Sequence, residues 1–464
     1  MNFTTKKIGI ILSFLIINFT SCRKRDVPTA DVFANFETSA LGITPSETSI
    51  TCKVKLTSAV KENVALTINV TNQNILAAEF TTLPAANVGK INAVIPAGNN
   101  EVSITINKTT GTLYDGDEKV TLNLESVGGG ALVGTTKQIV ISFAELISAS
   151  ATATVNGGGV TYPNKVFIDL SSNRQTGVLR TNWDLGFYTG VDDFRVILNS
   201  SSAMMAKQIN KTDLATITAA DTIGFGNDVF FNQAAPTASS LAYIDYPNGD
   251  ITRTAIATIA ATATDNKVYI VNRGLGIGAP APNRGWKKVR IIRNGTGYTL
   301  QHADIASTTF TTVEITKEDA TFFKYISFET GAVTIEPLKK KWDIAWTYFS
   351  NATNFGAGEV PYLFQDVIIQ NRNVQVAQVL VAIKPFVDFT EADLPALSLL
   401  SPQNTIGSTW RSGGGPTTQP AVRTDRYYIV KDGDNNFYKI RFTSLTQNSE
   451  RGYPAYESVL VKKG

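Results

Sequence analysis

The residue types that most often carry out chemistry in proteins are scarce in this chain. Its 464 residues include one histidine, His302, and two cysteines, Cys22 and Cys52. Beyond Met1, the methionines are the adjacent pair Met204 and Met205 in "NSSSAMMAKQ". Serine and cysteine nucleophiles are activated by a histidine, and zinc sites are usually built from His and Cys. Because only one histidine is present, the sequence predicts a protein that is not an enzyme and has no metal site of this kind.

Acidic residues are the remaining candidates for catalysis. Asp184 in "NWDLGFY" and Asp343 in "KWDIAWTY" each follow a tryptophan. A pair of carboxylates can cleave glycosidic bonds, and this alternative stays open. The repeated Trp-Asp context favours a structural role, in which each aspartate accepts backbone N–H bonds in a turn.

Two glycine-rich segments are candidates for ligand loops. "GLGIG" (274–278) is soon followed by proline and does not open a helix, so a phosphate-binding loop is rejected. "STWRSGGGP" places Trp410 and Arg411 beside a glycine run. An aromatic residue in such a loop is a candidate exposed contact with a ligand or partner, and the alternative is a lid over its own core.

Composition indicates a folded chain of two or three domains. Hydrophobic residues make up 43% of it and charged residues 17%, and the formal net charge is +3. Such a small charge gives no nucleic-acid-binding footprint. The abundance of Thr, Ser, Asn and Gly favours strands and turns.

The N-terminus has the pattern of a lipoprotein signal peptide. Lys6 and Lys7 precede an apolar run from Ile8 to Phe19, and "FTSC" ends at Cys22. This resembles the bacterial lipobox, which implies cleavage before Cys22 and its lipidation; the alternative is an ordinary signal peptide (1–22) with a coincidental cysteine. A polar tether (23–31) follows, and its basic start favours the periplasmic face of the outer membrane over the cell surface.

Residues 32–145 alternate as strands do, in segments such as "SITCKVKL" and "EKVTLNLESV". They predict a β-sandwich of about seven strands, with Cys52 as a small buried hydrophobe. "IPAGNNEVSITIN…DGDEKVTLNLESV" resembles Calx-β and immunoglobulin-like modules, which can bind calcium through acidic loops. Only Asp115, Asp117 and Glu118 cluster here, too few for that site, so a solvated turn in a spacer module is expected.

After a small-residue linker (146–163), the rest of the chain is predicted to form two tandem β domains, 164–320 and 321–464. Three pairs of landmarks, Lys165/Lys324, Trp183/Trp342 and Tyr269/Tyr428, share a single sequence spacing of 159. "WKKVRI" and "FYKIRF" follow at a spacing of 151, so the first copy carries eight extra hairpin residues. An all-β fold with only short helical turns, at "KTDLATITAAD" and "FTEADLPALSLL", is predicted.

Longer motifs of the two copies point to a known family. The second copy contains "KYISFETGAVTIEPLKKKWDIAWTYF", "NVQVAQVLVAIKPFVDFTEAD" and "YYIVKDGDNNFYKIRF", and the first contains "KVFIDLSSNRQTGVLRTNWDLGFY" and "FRVILNSSSAMMAKQ". In these motifs both copies resemble the HmuY-like lipoproteins. The resemblance implies an all-β, lipid-anchored protein that captures haem for uptake, although a single copy per chain is usual.

Haem iron needs axial ligands, and the family uses His or Met. Met204 or Met205 with His302 is the candidate ligand set. Neighbouring residues on a strand point to opposite faces, so both methionines cannot serve one iron. The alternative is that the methionines are flexible packing and His302 has no special role. The second copy offers neither residue in "NVQVAQ".

The expected function is therefore a lipid-anchored envelope binding protein that captures haem. Its expected partners are the membrane through Cys22, haem or a haem protein, and an outer-membrane receptor, without nucleic acid. The alternative is a surface adhesion, glycan- or protein-binding lipoprotein without haem.

Overall fold

The computed structural model describes residues 30–144, 147–414 and 418–464. The signal peptide, Cys22 and most of the tether lie outside the described residues. The described chain is built of strands with a few short helices, which confirms the all-β prediction. None of the described helices has both the length and the apolar character needed to cross a bilayer.

The N-terminal region is a two-sheet sandwich. Its sheets have the orders β5-β7-β3-β1-β9 and β2-β10-β8-β4-β6, and their apolar faces enclose one core that includes Cys52. Ten strands replace the seven expected, because β1, β2, β5 and β9 are too short for alternation to mark them. The strands are β1 (Phe33–Phe36), β2 (Ala40–Ile43), β3 (Ser49–Leu56), β4 (Val64–Gln73), β5 (Phe80–Leu83), β6 (Lys90–Ile95), β7 (Glu101–Lys108), β8 (Lys119–Val127), β9 (Leu132–Val133) and β10 (Gln138–Phe143).

The rest of the described chain forms eighteen strands in four sheets. They are β11 (Ser150–Thr154), β12 (Asn164–Asp169), β13 (Arg174–Leu179), β14 (Leu185–Tyr188), β15 (Val196–Leu198), β16 (Met205–Ile209), β17 (Val268–Asn272), β18 (Trp286–Asn294), β19 (Gly297–Ala303), β20 (Thr311–Ile315), β21 (Phe323–Ser327), β22 (Gly331–Val333), β23 (Ile344–Asn354), β24 (Glu359–Gln370), β25 (Gln375–Leu380), β26 (Arg426–Lys431), β27 (Phe437–Gln447) and β28 (Glu450–Lys462).

The four sheets stack face to face. The order of the stack is β11-β28-β27-β26-β25, then β13-β12-β23-β24, then β15-β14-β21-β22, then β16-β17-β18-β19-β20. Three cores separate these layers, and neighbouring residues of one strand serve different cores. On β12, Val166 and Ile168 belong to the core shared with the first sheet, while Phe167 belongs to the central core.

The two sequence copies exchange a β-hairpin, β12–β13 of the first copy and β21–β22 of the second, and the inner strand of each hairpin pairs with the other copy. β12 of the first copy pairs with β23 of the second, with Val166 opposite Trp346. β21 of the second copy pairs with β14 of the first, with Tyr325 opposite Gly186. Because β12 is buried on both faces, it needs a neighbouring strand and a sheet on each side. The copies are therefore interlocked, which their tandem order in the sequence did not reveal.

The pairing of the exchanged strands also changes which residues of the two copies are equivalent. Asp184 N bonds Ile326 O and Asp343 N bonds Ile168 O, both at 2.8 Å. The two aspartates have a sequence spacing of 159, whereas their two partners have a spacing of 158. The structural equivalent of Lys324 is therefore Val166 rather than Lys165, because the segment between strand and aspartate is one residue longer in the second copy.

Tryptophans from the two WD segments meet partners in the central core. Trp342 lies edge-on to Phe167 at 4.9 Å between ring centroids, and Trp183 lies edge-on to Tyr325 at 4.8 Å. Each tryptophan thus packs on the strand received from the other copy.

The structure also shows what the predicted linker, hairpin loops and helical turns form. The 146–163 segment contributes β11, which pairs with β28, so this part of it is an edge strand rather than a linker. The β17–β18 loop (273–285) exceeds the β26–β27 loop (432–436) by the eight residues expected. Short helices are found at both predicted positions: the 3₁₀ turns Leu214–Thr216 and Ala219–Thr222 at the first, and Glu391–Ala396 at the second. The other described helices are α1 (Phe225–Asp228) and the 3₁₀ turns Ser200–Ser202, Ala238–Tyr243 and Ala263–Asp265.

Strand exchange predicts that the copies stay together after the chain is cut between them. A protease site inserted beside the exposed Asp319 should yield two fragments that co-elute in native size-exclusion chromatography and separate only in denaturant. The reason is that each fragment supplies a buried central strand to the other. Fragments that separate without denaturant would contradict the exchanged topology.

Candidate functional site

The two WD aspartates fasten the exchanged strands. Asp184 Oδ2 accepts a hydrogen bond from Phe328 N, and Asp343 Oδ2 accepts one from Leu170 N, both at 2.8 Å. In each case the donor belongs to the strand segment of the other copy. The structural role predicted for the pair is therefore the one observed, and the two aspartates do not share a site.

Asp184 is also held by two arginines. It is fully buried, with Arg273 Nε 2.9 Å from Oδ1 and Arg284 Nη2 2.9 Å from the same oxygen. Both arginines lie in the long β17–β18 loop. The eight extra residues therefore bring Arg284 to a buried carboxylate and do not form a phosphate-binding loop.

The candidate haem ligands lie apart. Met204 packs in the core between β14–β15 and β16–β19, while Met205 packs in a separate cluster with Val229, Phe231 and Leu363. Both are about as buried as a residue can be, at 1% and 0% exposed. The opposite orientation predicted for neighbouring residues on a strand is therefore found.

His302 lies on β19, separated from β16 by β17 and β18. Three strand spacings put it roughly 14 Å across the sheet from the methionine strand. Its ring lies 4.9 Å from that of Phe328, and burial, followed by the charge of Lys287, lowers its pKa. Met204, Met205 and His302 therefore do not fit axial ligation of one haem iron in this structure.

Trp410 and Arg411 are buried. Trp410 Nε1 donates to Asp366 O at 2.9 Å, and its ring lies 4.4 Å from that of Phe442. The Arg411 guanidinium binds Gln365 O and lies 3.8 Å from the Asp366 carboxylate. The expected exposed contact is corrected: the side chains cover their own core, because polar atoms of β24 draw them inward.

The acidic cluster of the sandwich is not a solvated turn. Lys341 of the second copy inserts its ammonium among Asp115, Asp117 and Glu118, with N···O distances of 2.5, 3.0 and 2.8 Å. Burial lowers the pKa of Lys341, but the charges of Asp115 and Glu118 outweigh it and raise the pKa overall. The lysine thus takes the place that a cation would have, and the sandwich is joined to the copies rather than only spacing them.

A small polar cavity of about 70 Å³ lies between the two inner sheets. Its lining includes Lys165, Trp183, Asp245, Glu336 and Trp342. Burial raises the pKa of Glu336 to about 7 and that of Asp245 to about 7, and burial lowers the pKa of Lys165 to about 8. The volume suits a few water molecules rather than an organic ligand.

A larger pocket, here called the outer pocket, opens under the loop 381–389, beside the start of β26 and the middle of β27. Its volume is about 390 Å³, within the range of small-molecule sites. Its walls are apolar and its rim carries three arginines: the lining includes Val381, Pro385, Phe386, Val387, Tyr427, Phe442, Arg423, Arg426 and Arg441.

The three arginines of the outer pocket differ in their partners. Arg426 pairs with Asp425 at 2.9 Å, and Arg441 pairs with Glu457 at 2.6 Å and covers the Phe386 ring at 4.5 Å. Arg423 is exposed, and its charge contributes, after that of Arg426, to lowering the pKa of Asp425. The pocket therefore offers an apolar wall and a cation available to an anionic group.

Sequence reasoning did not identify the outer pocket. "VAIKPFVDF" contains the wall residues, and its apolar residues in a loop with proline were a usable signal. Arg426 and Arg441 come from two strands, and only the register of the β26–β27 hairpin brings them to the same pocket.

The contacts of Lys341 predict that replacing it costs much more stability than replacing the neighbouring Lys340. Lys341→Met leaves three carboxylates without their cation and should lower the free energy of unfolding by about 3 kcal/mol. Lys340→Met is the matched control, because Lys340 is half exposed beside Asp434 and its loss should cost less than about 1 kcal/mol. Urea unfolding measures both, and equal losses would refute the cation role of Lys341.

The raised pKa of Glu336 predicts that the free energy of unfolding depends on pH. Between its ordinary pKa of 4.5 and about 7, the folded chain holds a proton at Glu336 that the unfolded chain has released. Stability should therefore fall with rising pH in this window, by up to about 1.4 kcal/mol per pH unit from this group. Glu336→Gln should remove this contribution and make the slope in urea unfolding shallower, while Asp245, whose pKa is also raised to about 7, keeps its own; Glu318→Gln, at an exposed glutamate, should leave the slope as it is. An unchanged slope in Glu336→Gln would contradict the shifted pKa.

Comparison with known proteins supports the interpretation of the chain as two copies. The HmuY protein family matches residues 161–304 and again 319–457. No curated protein sequence matches the chain.

Solved structures give weaker likenesses. The apo form of the Calx CBD1 domain is 13% identical, covering 25% of this chain and 97% of that one, with a TM-score of 0.21. A proposed HmuY-like haem-binding protein from Bacteroides vulgatus is 11% identical over 68% of this chain and 94% of its own, with a TM-score of 0.19. A Bacteroides ovatus protein of unknown function covers 93% of this chain and 95% of its own at 7% identity and a TM-score of 0.18. These scores are too low to carry an argument about function. The two family matches together span more than half of the sequence, and the chain belongs to the HmuY family.

Proposed function

We propose that this HmuY-family protein is a binding protein of the bacterial cell envelope, anchored in the outer membrane through lipidated Cys22. Its ligand in this proposal is an amphipathic anion of the porphyrin class, held in the outer pocket. The observation that carries the proposal is the pairing of an apolar wall with the solvent-exposed guanidinium of Arg423.

The physical basis is complementarity to a flat apolar ring with carboxylates. Phe386, Pro385 and Val387 would cover the ring, and Arg423 would meet a carboxylate at the exposed edge. Tyr427 is not free to serve iron, because its hydroxyl donates to Lys384 O at 3.0 Å. Met204, Met205 and His302 are buried elsewhere, so the proposal assigns no iron ligation to them.

A comparison of haem with metal-free protoporphyrin tests this function. Both should quench tryptophan fluorescence saturably, with affinities within about tenfold of each other, because the proposed contacts do not involve iron. Arg423→Gln should weaken both by about tenfold, whereas Arg253→Gln, at another exposed arginine, should leave both unchanged. The Met204→Leu, Met205→Leu double variant should bind as the parent does.

Two results of this experiment would contradict porphyrin binding in the outer pocket. Binding of haem alone, lost in the double methionine variant, would return the site to the methionines and overturn the outer pocket. Absence of binding to either porphyrin would favour the second candidate, adhesion to a protein or glycan without haem.

That second candidate has an observation of its own. Val387 in the pocket wall and Ile383 in the same loop are 74% and 77% exposed, and exposed apolar side chains of this size are typical of interaction surfaces. The envelope setting and a binding rather than catalytic role are common to both candidates.

A further inference from the structure

The two copies surround their buried aspartates with opposite charge. Around Asp184 in the first copy stand the guanidinium groups of Arg273 and Arg284, with Glu329 exposed to solvent at the rim. Lys287 lies opposite Val271, which is two residues before Arg273, and therefore on the same face of the sheet as Arg273. It pairs with Asp304 at 2.6 Å. The first copy therefore compensates its buried carboxylate with side-chain cations.

Each of these positions changes in the second copy. Asp432 corresponds to Arg273 at the repeat spacing of 159, and Tyr438 takes the place of Lys287, since it lies opposite Val430 as Lys287 lies opposite Val271. Asp169 takes the place of Ser327, in the register of the exchanged strands. Asp343 therefore has Asp432 where Asp184 has Arg273, and Asp169 where the first copy has Ser327.

Hydrogen bonds place Asp169 beside Asp343. Asp343 Oδ2 accepts from Leu170 N, the residue next to Asp169. Asp169 Oδ1 accepts from Ser171 Oγ at 2.7 Å and from Ser172 N at 3.0 Å. One oxygen of Asp169 is therefore held by the turn that follows β12, close to the second WD aspartate.

The β26–β27 hairpin brings Tyr438 to the same group. Tyr438 lies on β27 opposite Val430, and Asp432 follows β26 two residues after Val430, so both side chains share one face of the hairpin. Burial, followed by the negative charges of Asp432, Asp343 and Asp169, raises the pKa of Tyr438. Tyr438 also packs in the same core as Ile168 and Ile344, the residues next to Asp169 and Asp343 in the chain.

Two oxygens in this group lack a partner. Asp169 Oδ2 and the Tyr438 hydroxyl are buried and make no hydrogen bond in the described structure, and their residues are 2% and 1% exposed. A buried carboxylate oxygen left unpaired costs several kcal/mol, so native proteins normally satisfy it. These atoms therefore point to something that is bound between them.

Neighbouring cations are already committed. Lys341 is shared by Asp115, Asp117 and Glu118, and Lys340 pairs with Asp434. The donors that bond the Asp169, Asp343 and Asp432 carboxylates are backbone N–H groups, the Ser171 hydroxyl and the Asn436 amide. These donors are all uncharged, so they do not neutralise the three buried carboxylates.

We propose that a hard divalent cation of the Ca²⁺ or Mg²⁺ class binds between Asp169, Asp343 and the Tyr438 hydroxyl, with Asp432 supplying further negative charge. Oxygen ligands of this kind are those that such ions prefer, and water would complete the coordination. The site lies where the strand received from the first copy meets the second, so the cation would fasten the exchanged strand as Arg273 and Arg284 do around Asp184. It adjoins the Lys341 cluster, because the Ser171 hydroxyl lies 2.9 Å from Asp115 Oδ1 and 2.7 Å from Asp169 Oδ1. The centre of that cluster is occupied by an ammonium group, whereas Asp169 Oδ2 has no partner.

Calorimetric titration of the full chain tests the proposal, after EDTA treatment and with CaCl₂ and MgCl₂ as the probes. We expect saturable binding of one ion per chain and a rise in melting temperature with added ion. Asp169→Asn keeps the Oδ1 acceptor but removes a charge and the free oxygen, and should weaken binding at least about tenfold. Without metal, this variant should melt no lower than the parent, because it relieves repulsion among the carboxylates.

Two further variants keep the test decisive. Tyr438→Phe removes the free hydroxyl without changing charge and should also weaken binding, which guards against a misfolded Asp169→Asn. Asp304→Asn removes an exposed carboxylate in the first copy and should leave binding unchanged. Absence of saturable binding of either ion would show that protons alone neutralise the group and would overturn the proposal. Equal affinity in the parent and both site variants would also overturn it.

Discussion

The structure depends on the pairing of two buried strands with partners from the other copy. β12 and β21 are the first strands of their copies, and each completes the inner sheet of the other. A strand that is apolar on both faces is stable only when sheets cover both faces. Exchange supplies this cover for both strands at once, and the central core with Trp183 and Trp342 is the consequence.

Buried charge is placed where this exchange occurs. Asp184 and Asp343 bind the backbone of the received strands, and an aspartate inside a protein needs compensation. The first copy uses Arg273 and Arg284, and the loop of eight extra residues is what delivers the second of them. The second copy has the shorter loop and no such arginine. A duplicated fold has thus kept one carboxylate in place and changed its surroundings, which is where a new binding property can arise.

The outer pocket and the exchanged strands occupy different parts of the molecule. The outer pocket lies on the far side of the β25–β28 sheet from the exchanged strands, so its loop and arginines can vary without disturbing the central core. The candidate methionines occupy core positions instead, where their flexible side chains fill space between sheets. The two methionines therefore lie in different cores and do not share a site.

Local patterns in the sequence were enough to predict the all-β class, the N-terminal sandwich, the duplication, the hairpin with its eight extra residues and the structural role of the WD aspartates. These features depend on alternation and spacing, which are properties of short segments. Strand exchange, the burial of Trp410, the insertion of Lys341 among the sandwich acids and the outer pocket were decided only by tertiary structure. Each joins residues far apart in the chain, and the same strand pattern is equally compatible with pairing inside one copy or between two. The sequence shows that "KKKWDIAWTY" is a second copy, but packing alone decides that its strand pairs with the first strand of the other copy.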